Sequence, residues 1–196
     1  MNTAISNESI QQLFAAARTH HAWQERDVAD GLLQEAYDLA KWGPTSANSL
    51  PMRIVFVKSN SAKEKLIPAL AGSNSEQVRA APVTAIVAYD EKFYDQLPTL
   101  FPAFDMRPMF VSNPSLSEQT AFRNSSLQGA YFILAVRALG LDAGPMSGFD
   151  NAKVDQAFFE KSSWKSNFLC NLGYGDAAKL RSRGPRLSFD EACIIA

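Results

Sequence analysis

One stretch limits the folds open to this chain more than any other. Ser115 to Leu139 reads as a single long helix with no wet face. Its apolar side chains (Phe122, Leu127, Tyr131, Ile133, Leu134, Val136 and Leu139) fall on every side of the helical period. Ser125, Ser126, Gly129 and Ala130 add a patch of small residues. A surface helix keeps a polar side, so a helix without one has to be enclosed. In a chain of only 196 residues, part of it is expected to be covered by a second subunit. Ser115 with Glu118 is the expected capping box, and Gly140 is the natural terminating residue.

The rest of the pattern is mixed. Ser6 or Asn7 can cap a first helix with Ile10, Leu13, Phe14 and Ala17 on one stripe, ending near Arg18. A second helix is expected from Asp30, carrying Leu32, Leu33, Ala36, Leu39 and Ala40 until Gly43-Pro44 stops it. Arg53 to Lys58 alternates and is β-branched, which predicts a strand. Ser61 with Glu64 predicts a short capped helix running to Leu70 and limited by Pro68. Another short helix is expected near Asn74 to Ala80, a buried strand at Val83 to Ala88, a helix after Asp150 and an inner strand at Phe168 to Tyr174. Leu97 to Pro114 holds four prolines and three phenylalanines without periodicity, which predicts a lid or binding loop. Helices and strands do not alternate strictly, so the fold class is α+β. No repeat, low-complexity tract or linker divides the chain, and residues 1–196 are expected to form one domain.

Composition matters mainly for what it excludes. The balance of hydrophobic and charged residues is ordinary for a soluble globular protein. A net charge of -1 leaves no basic excess to neutralise a phosphodiester backbone, so nucleic acid is not an expected partner. Met1 to Ser9 has neither the positive nor the apolar region of a signal peptide. The apolar-rich runs Ala80 to Tyr89 and Ala130 to Leu141 are interrupted or too short for a bilayer. A cytoplasmic protein is expected, with no membrane partner and with Cys170 and Cys193 as reduced thiols. His20 and His21 are adjacent and point to different faces, and no HExxH or Cys/His cluster exists, so no metal site is expected. Gly144 to Gly148 resembles a nucleophile elbow, but Ser147 falls one place too late and no histidine follows it. Gly173 to Ala178 has dinucleotide-fingerprint spacing, but Arg181 to Pro185 breaks the helix that the fingerprint needs. It reads as a glycine turn leaving an inner strand.

What remains is a distributed anion-and-ring site. Arg18 at the end of the first helix, and Arg183 and Arg186 in the tail, could together clamp one phosphate monoester, which suits the guanidinium fork. Two loops could aim backbone N–H groups at a flat ligand: Pro44 to Pro51, bounded by prolines, and Gly144 to Gly148. A flavin needs such donors beside its ring, with apolar surface against it.

These residues carry a resemblance. Pro44-Thr45-Ser46-Ala47-Asn48-Ser49-Leu50-Pro51 resembles the P-S-x-x-N-x-Q-P loop of the nitroreductase family. The segment Ala138 to Phe149 resembles the family's A-x-x-x-G-L-x-x-x-P-x-x-G stretch, Leu172 to Lys179 its following strand and turn, and Arg183 to Ala192 its phosphate-binding tail. The likeness runs from about Arg18 to Ala192. Within the family, KWGPTSAN, AFRNSS, GPMSGFD and PRLSFDEA look closest to the malonic semialdehyde reductase subgroup of the Rut pyrimidine-degradation pathway. The resemblance implies a three-layer α+β sandwich, a mainly antiparallel sheet flanked by helices, in an entwined homodimer with FMN at the interface. It implies NAD(P)H as co-substrate, ping-pong hydride transfer through flavin N5, and a small aldehyde, quinone or nitro compound as substrate. Carried over, Arg18, Thr19 and His20 meet the ribityl phosphate and pyrimidine edge, and Pro44, Thr45, Ser46 and Asn48 come from the partner. Pro145, Met146, Ser147 and Gly148 lie against the ring, and Arg183 and Arg186 bind phosphate.

Three departures bear on the substrate. The second long cation of R-x-S-x-R/K is Ala22, the glutamine of N-x-Q-P is Leu50, and the acid common in the third loop is Ser147. Without that acid the pocket is less hostile to an anion such as malonic semialdehyde, for which Arg53, Arg107 and Arg123 are candidate carboxylate clamps. No acid or base in the motifs is an obvious proton donor, so water or a hydroxyl would supply the proton. A quinone or nitroaromatic reductase, and a non-catalytic flavin-binding protein, are the alternative readings.

Overall fold

The structure is a computed structural model and describes residues 3–196; the first two residues of the domain read over 1–196 lie outside it. Ser6 caps α1 (Asn7–Ile10) by accepting from Ser9 N–H, and the helix continues as a π-helical turn, Gln11–Ala15. Next come α2 (Asp30–Ala40), β1 (Met52–Val57), α3 (Asn60–Leu66), α4 (Asn74–Ala80), β2 (Val83–Asp90), α5 (Leu97–Leu100) and α6 (Arg107–Ser112). Then follow α7 (Pro114–Ala138), β3 (Asp142–Met146), α8 (Asn151–Phe158), β4 (Trp164–Gly173) and α9 (Phe189–Ala192).

The four strands form one antiparallel sheet in the order β1-β2-β4-β3. β2 is central and has no wet face. Ala85 and Val87 point to the layer of α2 and α7, where Ala36, Ala40, Phe132 and Val136 pack. Ile86 and Ala88 point to the layer of α3, α4 and α8, with Leu66, Val78 and Val154. The period of two thus places alternate residues in two cores, giving the three-layer α+β sandwich that the family resemblance implies. Burying a side chain such as Phe132 or Leu66 completely contributes about 1.5–3 kcal/mol, and both have no exposed surface.

Several local expectations need correction. α3 is capped by Ser59, whose hydroxyl accepts from Ala62 N–H, and not by the Ser61–Glu64 box. α7 is capped by Asn113, whose side chain accepts from Leu116 N–H, with Pro114 in its first turn. Leu97 to Pro114 is not without regular structure: it carries α5 and α6, whose Leu97 and Phe110 join Phe93, Tyr89 and Ala121 in a third cluster. Gly144-Pro145-Met146 is an edge strand paired to Asn171, Cys170 and Leu169, not loop. An edge tolerates proline, because its missing N–H would face away from the ladder.

The helix expected to lack a wet face is half enclosed. Phe132, Ala135 and Val136 are buried, while Phe122, Leu127 and Tyr131 remain 50%, 48% and 42% exposed. Two buried carboxamides on its inner side, Asn124 and Gln128, hold neighbouring backbone. Gln128 Oε1 accepts from Met52 N–H at 3.0 Å, so the first residue of β1 is hung from α7. Gln128→Leu keeps the volume but leaves that buried N–H unpaired. It should cost about 1–3 kcal/mol, read as a lower denaturant midpoint with unchanged slope.

Candidate functional site

Arg18 to Gln24 is sewn between β3 and the exit of β4. Thr19 forms a parallel bridge with Ala143, Trp23 bridges Gly175, and Gln24 N–H donates to Tyr174 O at 2.8 Å. This seam closes one side of a cleft of about 460 Å³; the other side is the tail after β4 and the last turn of α7. Arg18, Arg137, Lys179, Arg181, Arg183 and Arg186 line it, with Asp176 as its one carboxylate among the described residues. Six cationic side chains against one acid concentrate positive potential in a recess, which is a site for a multivalent anion.

The two histidines do face apart. His20 is buried, its Nε2 3.4 Å from Asp142 Oδ1, while Asp142 Oδ2 accepts from Gly175 N–H at 2.9 Å. A Cβ at Gly175 would fall on the imidazole, so any other residue there would have to displace His20. His21 is exposed and donates from Nδ1 to Gln77 Oε1 at 2.8 Å. Arg18 donates to the Arg181 carbonyl, which pins the tail across the cleft. Arg183 closes the end of the first helix by donating to Ala15 O at 2.8 Å and Ala17 O at 3.0 Å. Arg186 donates from Nη1 to the nearby carbonyls of Gly184 and Pro185.

Arg137 escaped the sequence reading. It donates from Nη1 to Leu13 O at 3.1 Å, and its Nε is buried with no partner among the described residues. Burial pushes its pKa below the ordinary arginine value. Arg137 thus adds a half-buried cation, held at one end by Leu13 O, to the lining of the cleft. In the sequence it looks only like a basic residue ending a helix, the usual complement to the dipole.

The Pro44 to Pro51 loop lies elsewhere. Ala47, Asn48 and Leu50 all have positive φ, at 52°, 48° and 40°. Such backbone costs non-glycine residues about 1–2 kcal/mol each and persists only where the surroundings enforce it. The enforcers are Asn124 Oδ1, accepting from Ser46 N–H at 2.8 Å, and Thr45 Oγ1, accepting from Leu50 N–H at 3.3 Å. Asn48 Nδ2 donates to Leu100 O at 2.9 Å. Pro44, Ser46 and Asn48 are exposed and Thr45 is half-buried.

β3 carries the third group away from Thr19. Pro145, Ser147 and Gly148 are exposed, Met146 is half-buried, and the Gly148 carbonyl is turned toward α4. One chain therefore gathers Arg18, Thr19, His20, Arg183 and Arg186 at a single cleft, with Pro145 and Met146 on the adjoining strand and Ser147 and Gly148 just beyond its end. It does not bring Pro44 to Asn48 there. That loop hangs from Asn124 in the first half of α7, while Arg137 floors the cleft from the last turn of the same helix. The helical rise between those two positions amounts to roughly 20 Å.

The candidate carboxylate clamps differ in availability. Arg53 is tied to Asp90 at 2.8 Å and to the carbonyls of Leu50 and Met52, so it locks the loop exit. Arg107 pairs with Asp95 at 2.9 Å. Arg123 is exposed, next to Asn124, and makes no hydrogen bond or ion pair among the described residues.

The sequence model of the nitroreductase family matches residues 2–174. Solved structures share the fold over the whole chain. A protein of Exiguobacterium sibiricum described as a nitroreductase, solved in complex with FMN, is 22% identical, with a TM-score of 0.85 over 100% of this chain and 99% of its own. A Staphylococcus epidermidis protein described as an NAD(P)H:FMN oxidoreductase is 19% identical, with a TM-score of 0.86 over 100% of this chain and 99% of its own. A gut-bacterial enone reductase of fatty acid saturation is 18% identical, with a TM-score of 0.83 over 98% of this chain and 99% of its own. At these identities the likeness is one of fold.

The contact between His20 and Gly175 is open to test. Gly175→Ala forces the imidazole out of the seam and should destabilise the protein by about 1–3 kcal/mol, as overpacking does. Gly31→Ala is the control, since a Cβ there meets nothing within 4 Å. Helix propensity favours alanine at such a position by about 0.5–1 kcal/mol. Chemical denaturation of the two variants should move in opposite directions.

Proposed function

Because the chain belongs to the nitroreductase family, we propose that it is a homodimeric, FMN-dependent NAD(P)H oxidoreductase that reduces malonic semialdehyde to 3-hydroxypropionate. The observation that carries the cofactor is the cleft lined by Arg18, Arg137, Lys179, Arg181, Arg183 and Arg186 against the single carboxylate of Asp176 among the described residues. A phosphate monoester fits that donor set better than a neutral or cationic ligand. Two of the structural neighbours carry FMN in their descriptions, which supports the same choice here. The chemistry FMN supplies when bound is hydride relay, from NAD(P)H to an oxidised substrate in two successive half-reactions.

The chain's own residues bind, orient and exclude water. Arg18, Arg137 and Arg186 hold the phosphate. Arg183 acts mainly by fixing the end of the first helix, where two carbonyls occupy its fork. Thr19 and His20 form the wall beside β3, with Asp142 holding His20 in place. Pro145, Met146, Ser147 and Gly148 are assigned to the ring, since they follow the wall directly along β3 and are largely exposed.

Pro44, Thr45, Ser46 and Asn48 are assigned to the second subunit's site, because about half the length of α7, roughly 20 Å, separates them from their own cleft. The exposed apolar surface of Trp42, Phe122, Leu127 and Tyr131 supports the same dimer. So do the exposed tail residues Leu187, Phe189, Ile194 and Ile195.

The semialdehyde rests on charge. Ser147 stands where the family commonly has an acid, and Arg123 is the clamp candidate whose guanidinium has no partner among the described residues. Arg123→Ala should raise KM for malonic semialdehyde about tenfold or more with kcat largely kept, as loss of a charge-assisted contact does. An unchanged KM removes Arg123 from that role. An anaerobic visible spectrum tests the whole reading. A flavin spectrum that bleaches with NADPH and returns with malonic semialdehyde is the expected result. Bleaching that only a quinone reverses keeps the reductase and discards the substrate, and a protein that takes up no FMN overturns both.

A further inference from the structure

Resting on that reading, we propose that Arg53 is a positioning residue that acts across the dimer. Paired with Asp90, it fixes the exit of the Pro44 to Pro51 loop, and through that loop the flavin site of the second subunit. Leu50, Pro51 and Met52 carry the chain from the loop into β1, and all three of their carbonyls are held. Arg53 Nη1 donates to Leu50 O at 3.0 Å and to Met52 O at 2.9 Å. Asp90 N–H donates to Pro51 O at 3.0 Å. The same guanidinium donates from Nη2 to Asp90 Oδ2 at 2.8 Å, so one side chain ties the loop exit to the end of β2.

Asp90 is held in turn. Its Oδ1 accepts from Ser163 Oγ at 2.6 Å and from Lys92 N–H at 3.0 Å. Ser163 stands at the entry to β4, its carbonyl accepts from Glu91 N–H at 2.9 Å, and the Trp164 ring lies 5.9 Å from the guanidinium carbon. The anchor therefore spans the ends of β1, β2 and β4. The Arg53 and Asp90 side chains are only 23% and 13% exposed, which sets the pair apart from a solvated surface bridge of little worth. The planar fork of an arginine serves two carbonyls and a carboxylate at once, which a lysine ammonium cannot match in direction.

Leu50 is one of the three positive-φ residues of the loop, at 40°, and such backbone persists only where its surroundings hold it. Its N–H is held from inside the loop by Thr45 Oγ1 and its carbonyl from outside by Arg53. Without Arg53 the carbonyl is released and the strained run can relax toward ordinary backbone. Pro44 to Asn48 then shifts where it meets the second subunit's flavin. Arg53 touches neither flavin nor substrate in this role; it acts through the backbone it holds.

The test compares wild type with Arg53→Met, which keeps the stem and removes the donors, and with Arg53→Met/Asp90→Asn. FMN affinity is read by fluorescence titration, the midpoint potential of bound FMN anaerobically, and the melting temperature on the full-length protein without FMN. Arg53→Met should bind FMN about 5–10-fold more weakly, the worth of one or two hydrogen bonds, and should shift the potential. It should also melt lower, because Asp90 is left without its cation. The double variant removes that orphaned charge and should recover most of the melting temperature, but neither the affinity nor the potential. A mixed dimer of one Arg53→Met subunit with one Arg18→Ala/Arg186→Ala subunit reads the direction of action. Action across the interface places both lesions in one site, so the other binds one FMN per dimer with wild-type affinity and potential. A mixed dimer with no wild-type site, wild-type affinity and potential in Arg53→Met, or affinity that recovers with the melting temperature would each overturn the proposal while the cofactor assignment stands. A wild-type protein that takes up no FMN overturns the functional reading and this role with it.

Discussion

Asn124 Oδ1 accepts the hydrogen bond of Ser46 N–H at 2.8 Å, and one turn further along α7 Gln128 Oε1 accepts that of Met52 N–H at 3.0 Å. Those two bonds fix both ends of the Pro44 to Pro51 loop and launch β1 in register with β2. One further turn down the same side, Phe132 fills the core without exposed surface, and Arg137 floors the cationic cleft. Gly129 lies against the Phe168 ring of β4, where any Cβ would come within 2.6 Å. A single helix therefore sets the loop, the sheet and the anion site relative to one another. Buried carboxamides without partners would each cost about 1–3 kcal/mol, so Asn124 and Gln128 hold their loops as strictly as the loops hold them.

The sequence shows the helices and inner strands clearly because their signals are local. Asp30 to Ala40, Asn74 to Ala80 and Val83 onward carry their periodicity and punctuation within a few residues. β3 carries none: Asp-Ala-Gly-Pro-Met lacks β-branched side chains and reads as a turn, and only the ladder to β4 makes it a strand. Leu97 to Pro114 misleads for the opposite reason. Its prolines suit first turns of short helices as well as loops, and Phe110 sinks into a cluster assembled by Tyr89 and Ala121, which are distant in the chain. The capping serines are misplaced by two residues because several polar side chains compete at each helix start.

The candidate site divides in the same way. Arg18, His20, Arg183 and Arg186 converge as motif spacing suggests, yet their tasks differ in ways that spacing does not encode. Arg183 closes a helix end, and His20 is locked between a carboxylate and a glycine. Arg53 has the right charge in a plausible place but belongs to Asp90.

The departure at Ala22 shows how charge can be kept by the fold when it is lost from a motif. The family pattern places a second long cation there, and in this chain the position is a methyl group lining the same cleft. A phosphate dianion held by Arg18 alone would leave the recess short of positive charge at that wall. Arg137 comes in from the last turn of α7, far along the chain, and Lys179 from the turn after β4. Arg137 is the better replacement. Its stem is packed, its Nη1 is anchored on Leu13 O, and its Nε is a buried donor with no partner among the described residues. A lysine or arginine at 22 would have to be ordered from a flexible state on binding, whereas Arg137 is already held by Leu13 O, so under the proposed function less rotamer entropy would be lost on phosphate binding.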